Sequence, residues 1–137
     1  MGTRSVIGKV NTDGTVTGIY CHWDGYPSHN GVILRDHYNT NVRIGRLMRL
    51  GDLSTLGAEI GKKHKFDQYV EGVCTAYKRD RGETGTEAVV YKDRNAFIEE
   101  DRGQEFTYLW DGYKWLCWKS WGNKEDVDLY NMVDEEA

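Results

Sequence analysis

The chain has 137 residues, the length of one domain with its own hydrophobic core. A formal net charge of −4 and no evident Lys/Arg block argue against direct nucleic-acid binding. Three widely spaced cysteines without a CxxC pair argue against a disulfide framework or zinc knuckle.

Residues 5–10 and 15–23 are apolar-rich runs separated by TDGT. Asp-Gly between such runs is a strong hairpin signal, because a type I′ turn needs φ > 0 at both central residues. With Asp13-Gly14 as a two-residue turn, Val6 faces Cys21, Gly8 faces Ile19, Val10 faces Thr17, and Arg4 faces Trp23. The other face carries Ile7 against Tyr20, Ser5 against His22, and Thr3 against Asp24. A slip of one residue exchanges the faces.

Pro27 and Ser28 open a helix expected over 28–38, with Gly31, Leu34 and Tyr38 along one stripe. A second helix is expected over 41–50, with Val42, Leu47 and Met48 inward and a stop at Gly51. DLSTLGAEIG reads as a turn or one helical turn. Residues 70–78 and 86–91 read as strands flanking a charged loop, KRDRGETG. Residues 93–101 suggest a short helix, with Asp93 near its N-cap. EFTYLWDGYKWLCWKSW is a second Asp-Gly hairpin. A two-residue turn sets Phe106, Tyr108 and Trp110 against Cys117, Trp115 and Tyr113, an aromatic core wall. Thr107 and Leu109 then lie against Leu116 and Lys114, with Glu105 opposite Trp118. The pattern defines an α+β fold: a mostly antiparallel sheet built from hairpins, with two to three helices on one face. Residues 1–122 form a single domain. The acidic segment 123–137 is a solvated tail or last capping segment, or an arm for a partner's basic groove.

The three thiols suit a reduced cytosolic protein, and most of them are expected to be buried. No apolar run approaches the roughly 18 residues of a membrane span, and neither a signal peptide nor a myristoylation signal is evident.

Chemistry concentrates in YCHWDGYPSHNG, residues 20–31. In the two-residue register Thr3, Ser5, His22 and Asp24 share a face. There they supply an acid–base pair beside hydroxyl nucleophiles, or donors and acceptors for a phosphate, ribose or base. The same groups also serve to satisfy a sheet, and Asp24-Gly25 to make a turn. In YKRDRGETG, Arg79 and Arg81 offer planar forks for phosphate or carboxylate, with Asp80 and Glu83 fixing them or facing water. Arg43, Arg46 and Arg49 recur at helical spacing and read as an amphipathic helix's solvent face, with one basic stripe for nucleic acid as the alternative. His22, His29, His37 and His64 lack a recognised metal-ligand spacing, and neither a cofactor nor a Walker loop is indicated.

TRSVI, IYCHWDGYPSHNG, LGDLSTLG and VEGVCTAYKRDRGE together resemble a family of small uncharacterised proteins of tailed bacteriophages and prophages. A more distant group with a TR start and H-x-D-x-YP is also similar. The likeness covers residues 3–118 and implies an accessory protein of the host bacterial cytoplasm, with no activity attached. The family's polar motif positions fall on Thr3, Arg4, His22, Asp24, Tyr26, Arg79, Asp80, Arg81 and Glu83. With Ser5 these make one expected ligand site between the first hairpin and the 78–85 loop. The expected function is binding of a small nucleotide-like or phosphorylated ligand that antagonises host defence. One alternative is an anti-CRISPR-type inhibitor docking on a host defence nuclease through acidic surface. A second is a small hydrolase using His22 and Asp24. The expected partner is thus a small molecule or a host defence protein, with no nucleic acid and no membrane, and a homo-oligomer is compatible.

Overall fold

The computed structural model describes residues 2–120 and 127–129. The architecture is α+β. Among the described residues eight strands share one sheet: β1 (Ser5–Val10), β2 (Val16–Cys21), β3 (Leu53–Thr55), β4 (Thr75–Ala76), β5 (Val89–Tyr91), β6 (Phe106–Trp110), β7 (Trp115–Lys119) and β8 (Val127–Asp128). The order is β4-β3-β2-β1-β6-β7-β8, and β5 pairs with the start of β2. The β1–β6 and β2–β3 joints are parallel and the other pairings antiparallel. Among the described residues no helix is long and apolar enough to cross a membrane.

One sheet face carries Ile7, Ile19, Cys21, Tyr108, Trp110, Trp115 and Cys117. Two helices close it: α1 (Val32–His37) through Leu34, with Tyr38 just after it, and α2 (Asn41–Leu50) through Ile44, Leu47 and Met48. A wide turn at Pro27–Gly31 leads into α1; the Val32 N–H donates five residues back, to the Pro27 carbonyl. The aromatic wall is therefore where the sequence pattern placed it. The second face carries Val6, Val16, Leu109, Leu116 and Trp118, and is covered by Phe97 of α4 (Arg94–Glu99). Asp93 caps α4, its carboxylate accepting the Ala96 N–H at 2.8 Å. Gly8 and Gly18 face each other across the first hairpin, and the Phe97 ring fills the space above them. A Cβ on either would lie under 3 Å from that ring.

Both hairpins depart from the two-residue turn. In the first, Ser5 pairs with Cys21, Val6 with Tyr20, Ile7 with Ile19 and Gly8 with Gly18. Gly14 alone of the tip takes positive φ, +88°, so Thr12-Asp13-Gly14 form a three-residue loop with a glycine bulge. The expected faces are thus exchanged for one strand against the other. Burying a large apolar side chain contributes about 1.5–3 kcal/mol. Holding Ile7 and Ile19 in one core therefore outweighs the preference for any one turn type. In the second hairpin Trp110 pairs with Trp115 and Tyr108 with Cys117 across a four-residue loop. That offset is two residues, so the faces survive and only Tyr113, 92% exposed, leaves the wall.

Four further expectations are corrected. Val42 is exposed; Ile44 takes its place, because 44, 47 and 48 share the face that meets the sheet. Leu53–Thr55 is a strand, since Gly51, at φ +74°, turns the chain from α2 into the sheet beside Cys21. The strand expected over 70–78 is only Thr75–Ala76. It gives way to α3 (Tyr77–Arg81), where the Asp80 carboxylate accepts the Ala76 N–H at 2.8 Å and Gly82 ends the turn at φ +69°. Of the expected 86–91 strand, Val89–Tyr91 forms, paired with β2. Most of the 123–137 segment lies outside the described residues; Val127–Asp128 pair with β7 and Leu129 is buried.

Candidate functional site

The first-hairpin register decides which polar groups meet. Ser5 faces the helices, fully buried, with the Asn30 amide donating to its Oγ at 3.4 Å and to the Trp23 carbonyl at 3.3 Å. It is a packing and hydrogen-bonding residue of the first core, cut off from His22. Cys21 lies beside it, its thiol pushed up to about 12 by burial. The three cysteines are free and buried. Thr3 contributes its carbonyl, which accepts the Gly25 N–H at 2.8 Å. Asp24 takes a left-handed φ of +56°, its carbonyl accepting the Asn30 N–H and its carboxylate the Tyr26 hydroxyl at 3.5 Å. It shapes the turn that the sequence allowed as one of its two roles. With Ser5 on the other face, no serine–histidine–aspartate line is assembled.

His22 instead shares the second face with Tyr20, two residues away along the strand. Its Nδ1 is hydrogen-bonded to the Tyr20 hydroxyl at 2.9 Å, and its ring meets Trp23 edge-on at 4.8 Å. Trp23 is 42% exposed. Arg4, continuing β1 on the same register, joins this face. Its exposed guanidinium lies beside Gly103 and has no hydrogen bond or ion pair among the described residues. Next along the sheet, Asp52 accepts the Tyr20 N–H at 2.9 Å and the Arg102 Nη2 at 3.0 Å. Arg102 also stands 5.4 Å over the Tyr20 ring. Beyond them lie Ser54 of β3 and Tyr77, whose N–H donates to the Asp52 carbonyl at 3.2 Å. Burial raises both phenols above the ordinary tyrosine range, with Arg4 opposing the rise at Tyr20 and Arg81 opposing it at Tyr77. Both hydroxyls are therefore neutral at physiological pH.

The 78–85 segment divides. Arg79 is spent internally: its guanidinium donates to the carbonyls of Ile60 at 2.7 Å and Cys74 at 2.7 Å and to both Asp80 oxygens. The Asp80 side chain is fully buried and also accepts the His64 and Ala76 N–H groups. Burial alone would raise its carboxyl, but these bonds, with Arg79 foremost, hold it below the usual carboxylate range. The pair locks the 60–64 loop to α3, so it is a structural clamp whose hydrogen bonds are used within the chain. Arg81 remains at the surface, stacked 4.3 Å over Phe66 and 5.0 Å over Tyr77, and paired with Glu83 at 2.8 Å.

The two expected sites therefore meet through other residues. A strip runs across β1, β2, β3 and the end of β4: Arg4, Tyr20 and His22, Asp52 and Ser54, then Tyr77 with Arg81. Of the expected set, Arg4, His22 and Arg81 belong to it. Tyr26, Asp24, Thr3 and Ser5 support the turn and hairpin behind it. Tyr20, Asp52, Ser54, Tyr77 and Arg102 were missed. The spacing of Tyr20 from His22 was a usable signal for a shared strand face; Arg102, fifty residues beyond Asp52 in the chain, offered none. Among the described residues no cluster of three or more His, Cys, Asp or Glu side chains could hold a metal.

Fold and strip together define a mixed-sheet α+β protein with a cationic, hydroxyl-rich surface on the sheet face opposite α1 and α2. No protein-family model, curated protein or solved structure matches the chain.

Proposed function

We propose that the chain binds a small phosphorylated, nucleotide-like ligand along the Arg4–Tyr77 strip. The observation that supports this is Arg4, a guanidinium without a hydrogen bond or ion pair among the described residues, beside the His22–Tyr20 pair and a half-exposed indole. A guanidinium fork recognises phosphate oxygens, neutral tyrosine hydroxyls donate to them or to a ribose, and Trp23 offers a face for a base. The strip is open and binds by complementarity, and its His22–Tyr20 pair is the place where turnover would have to arise. With the resemblance to phage and prophage accessory proteins, the proposed role is removal of a nucleotide signal used by host defence.

The test is native mass spectrometry of protein purified from phage-infected, defence-active cells, with titration calorimetry against mono-, di- and cyclic nucleotides. Wild type releases an intact nucleotide-like molecule on denaturation. Arg4→Ala and His22→Ala lose at least tenfold in affinity with unchanged melting temperature, because neither side chain is in the core. Release of a bound host protein and no small molecule overturns the proposal. Turnover abolished in His22→Ala moves the reading to hydrolysis.

A further inference from the structure

The net charge of −4 conceals a sharp asymmetry. Nine of the 18 Lys and Arg residues lie within residues 43–81, against five of the 22 acids. Two of those five acids, Asp52 and Asp80, are buried and paired with Arg102 and Arg79. The structure brings five of these cations, Arg43, Arg46, Arg49, Lys78 and Arg79, around two depressions that share Arg49. Arg43, Arg46 and Arg49 of α2 line an open depression of about 370 Å³ with Glu59, Ile60 and Gly61. Arg49 continues into a second depression with Leu50, Lys78 and Arg79. Arg43 is held in place, donating to the carbonyls of His37 at 2.7 Å and Ala58 at 2.9 Å. The guanidinium groups of Arg46 and Arg49 are exposed and make no hydrogen bond or ion pair among the described residues. Lys78 pairs at the surface with Glu87 at 3.3 Å.

From Gly61 the chain runs on as KKHKFDQY, with Lys62, Lys63 and Lys65 exposed. Arg79 anchors the start of this loop at Ile60 and Gly61, and Asp80 anchors it at the His64 N–H. Tyr69 within it is 71% exposed, and Phe66 is sandwiched with Tyr77 and Arg81.

We infer that α2 and the 61–69 loop form a docking surface for single-stranded nucleic acid. Cations in series, among them Arg46 and Arg49 with no hydrogen bond or ion pair among the described residues, track a phosphodiester backbone, and an exposed aromatic within the basic segment supplies a stacking face for an unpaired base. An acidic peptide would use the cations and leave Tyr69 idle; duplex has no free base to stack. The surface rests on residues other than the proposed ligand strip, so either reading can fail alone. It also reverses, locally, what the overall charge led one to expect of nucleic acid.

Fluorescence anisotropy with a fluorescein-labelled oligodeoxythymidine of about 20 nucleotides tests it, read from low to physiological salt. Wild type binds, and log K falls against log salt with a slope of about −3, as expected for four phosphate contacts. The double variant R46E/R49E weakens binding at least tenfold and flattens the slope. Tyr69→Ala weakens it severalfold with the slope unchanged, because a base contact is lost and not a charge. Both changes are at exposed positions, and an unaltered melting temperature checks the fold. Absence of binding at low salt, or equal affinity for a duplex of the same length, overturns the inference. So does indifference to R46E/R49E, and polyglutamate bound in preference to the oligonucleotide would assign the surface to an acidic protein.

Discussion

Hairpins β1–β2 and β6–β7 both carry Asp-Gly at their tips, and neither uses it as a two-residue turn. In β6–β7 the loop grows by two residues, Trp110 pairs with Trp115, and each side chain keeps the face that alternation assigns it. In β1–β2 the loop grows by one, Val6 pairs with Tyr20, and the cross-strand partners change face. The difference is one of parity. Side chains alternate with period two, so an even offset is silent and an odd one rewrites every cross-strand neighbour. The hairpin where parity changed is the one that positions Arg4, His22 and Ser5, so it decided the membership of the site. The other, whose parity held, builds the core wall.

The comparison implies that strand packing, and not the turn, selects the β1–β2 register. The largest effect expected from breaking it is at the glycine pair. Gly8→Ala sets a Cβ 2.6 Å from the Phe97 ring, within a packed face, and should cost about 1–3 kcal/mol in denaturant melts. Phe97→Leu in the Gly8→Ala background should recover part of that loss; strict additivity would mean that the ring and the glycine are not coupled. A smaller effect is expected at the tip. Gly14 has φ +88° with nothing within 4 Å of its Cβ position, so Gly14→Ala carries only the backbone penalty, about 1 kcal/mol. The smallest follows deletion of Thr12. Asp13-Gly14 then becomes a two-residue turn with Asn11 still opposite Thr15, and stability should stay within about 1 kcal/mol. Cross-strand NOEs between Gly8 and Gly18 should persist in that variant. Their replacement by Gly8–Thr17 contacts, the pairing a retained three-residue loop would impose, would show that the turn sets the register after all.

Elements with a local signature were legible in the sequence. Helix α2 runs over 41–50 as expected because Thr40 caps it, accepting the Arg43 N–H at 3.2 Å, and Gly51 stops it. Asp93 announces α4 in the same way. The region 52–81 was opaque. β3 and β4 are too short for alternation to register, and α3 exists because Asp80 and Arg79 tie it to carbonyls and N–H groups on remote segments. For the same reason Arg79 and Asp80 read as ligand groups: a buried clamp and an anion site use the same residue types, and only burial and partner separate them.

What the sequence by itself determined is therefore the α+β class, the caps and stops of its helices, the aromatic wall of β6–β7, and the neighbourhood of the candidate site. These follow from capping, propensity and alternation, which act over a few residues. The tertiary structure alone decided the odd register of the first hairpin, the parallel β1–β6 joint, the internal use of Arg79 and Asp80, and the meeting of Arg4 and His22 with Tyr20, Asp52 and Arg102. Each depends on burial and on contacts between segments tens of residues apart, whose energies exceed the local preferences that a sequence displays.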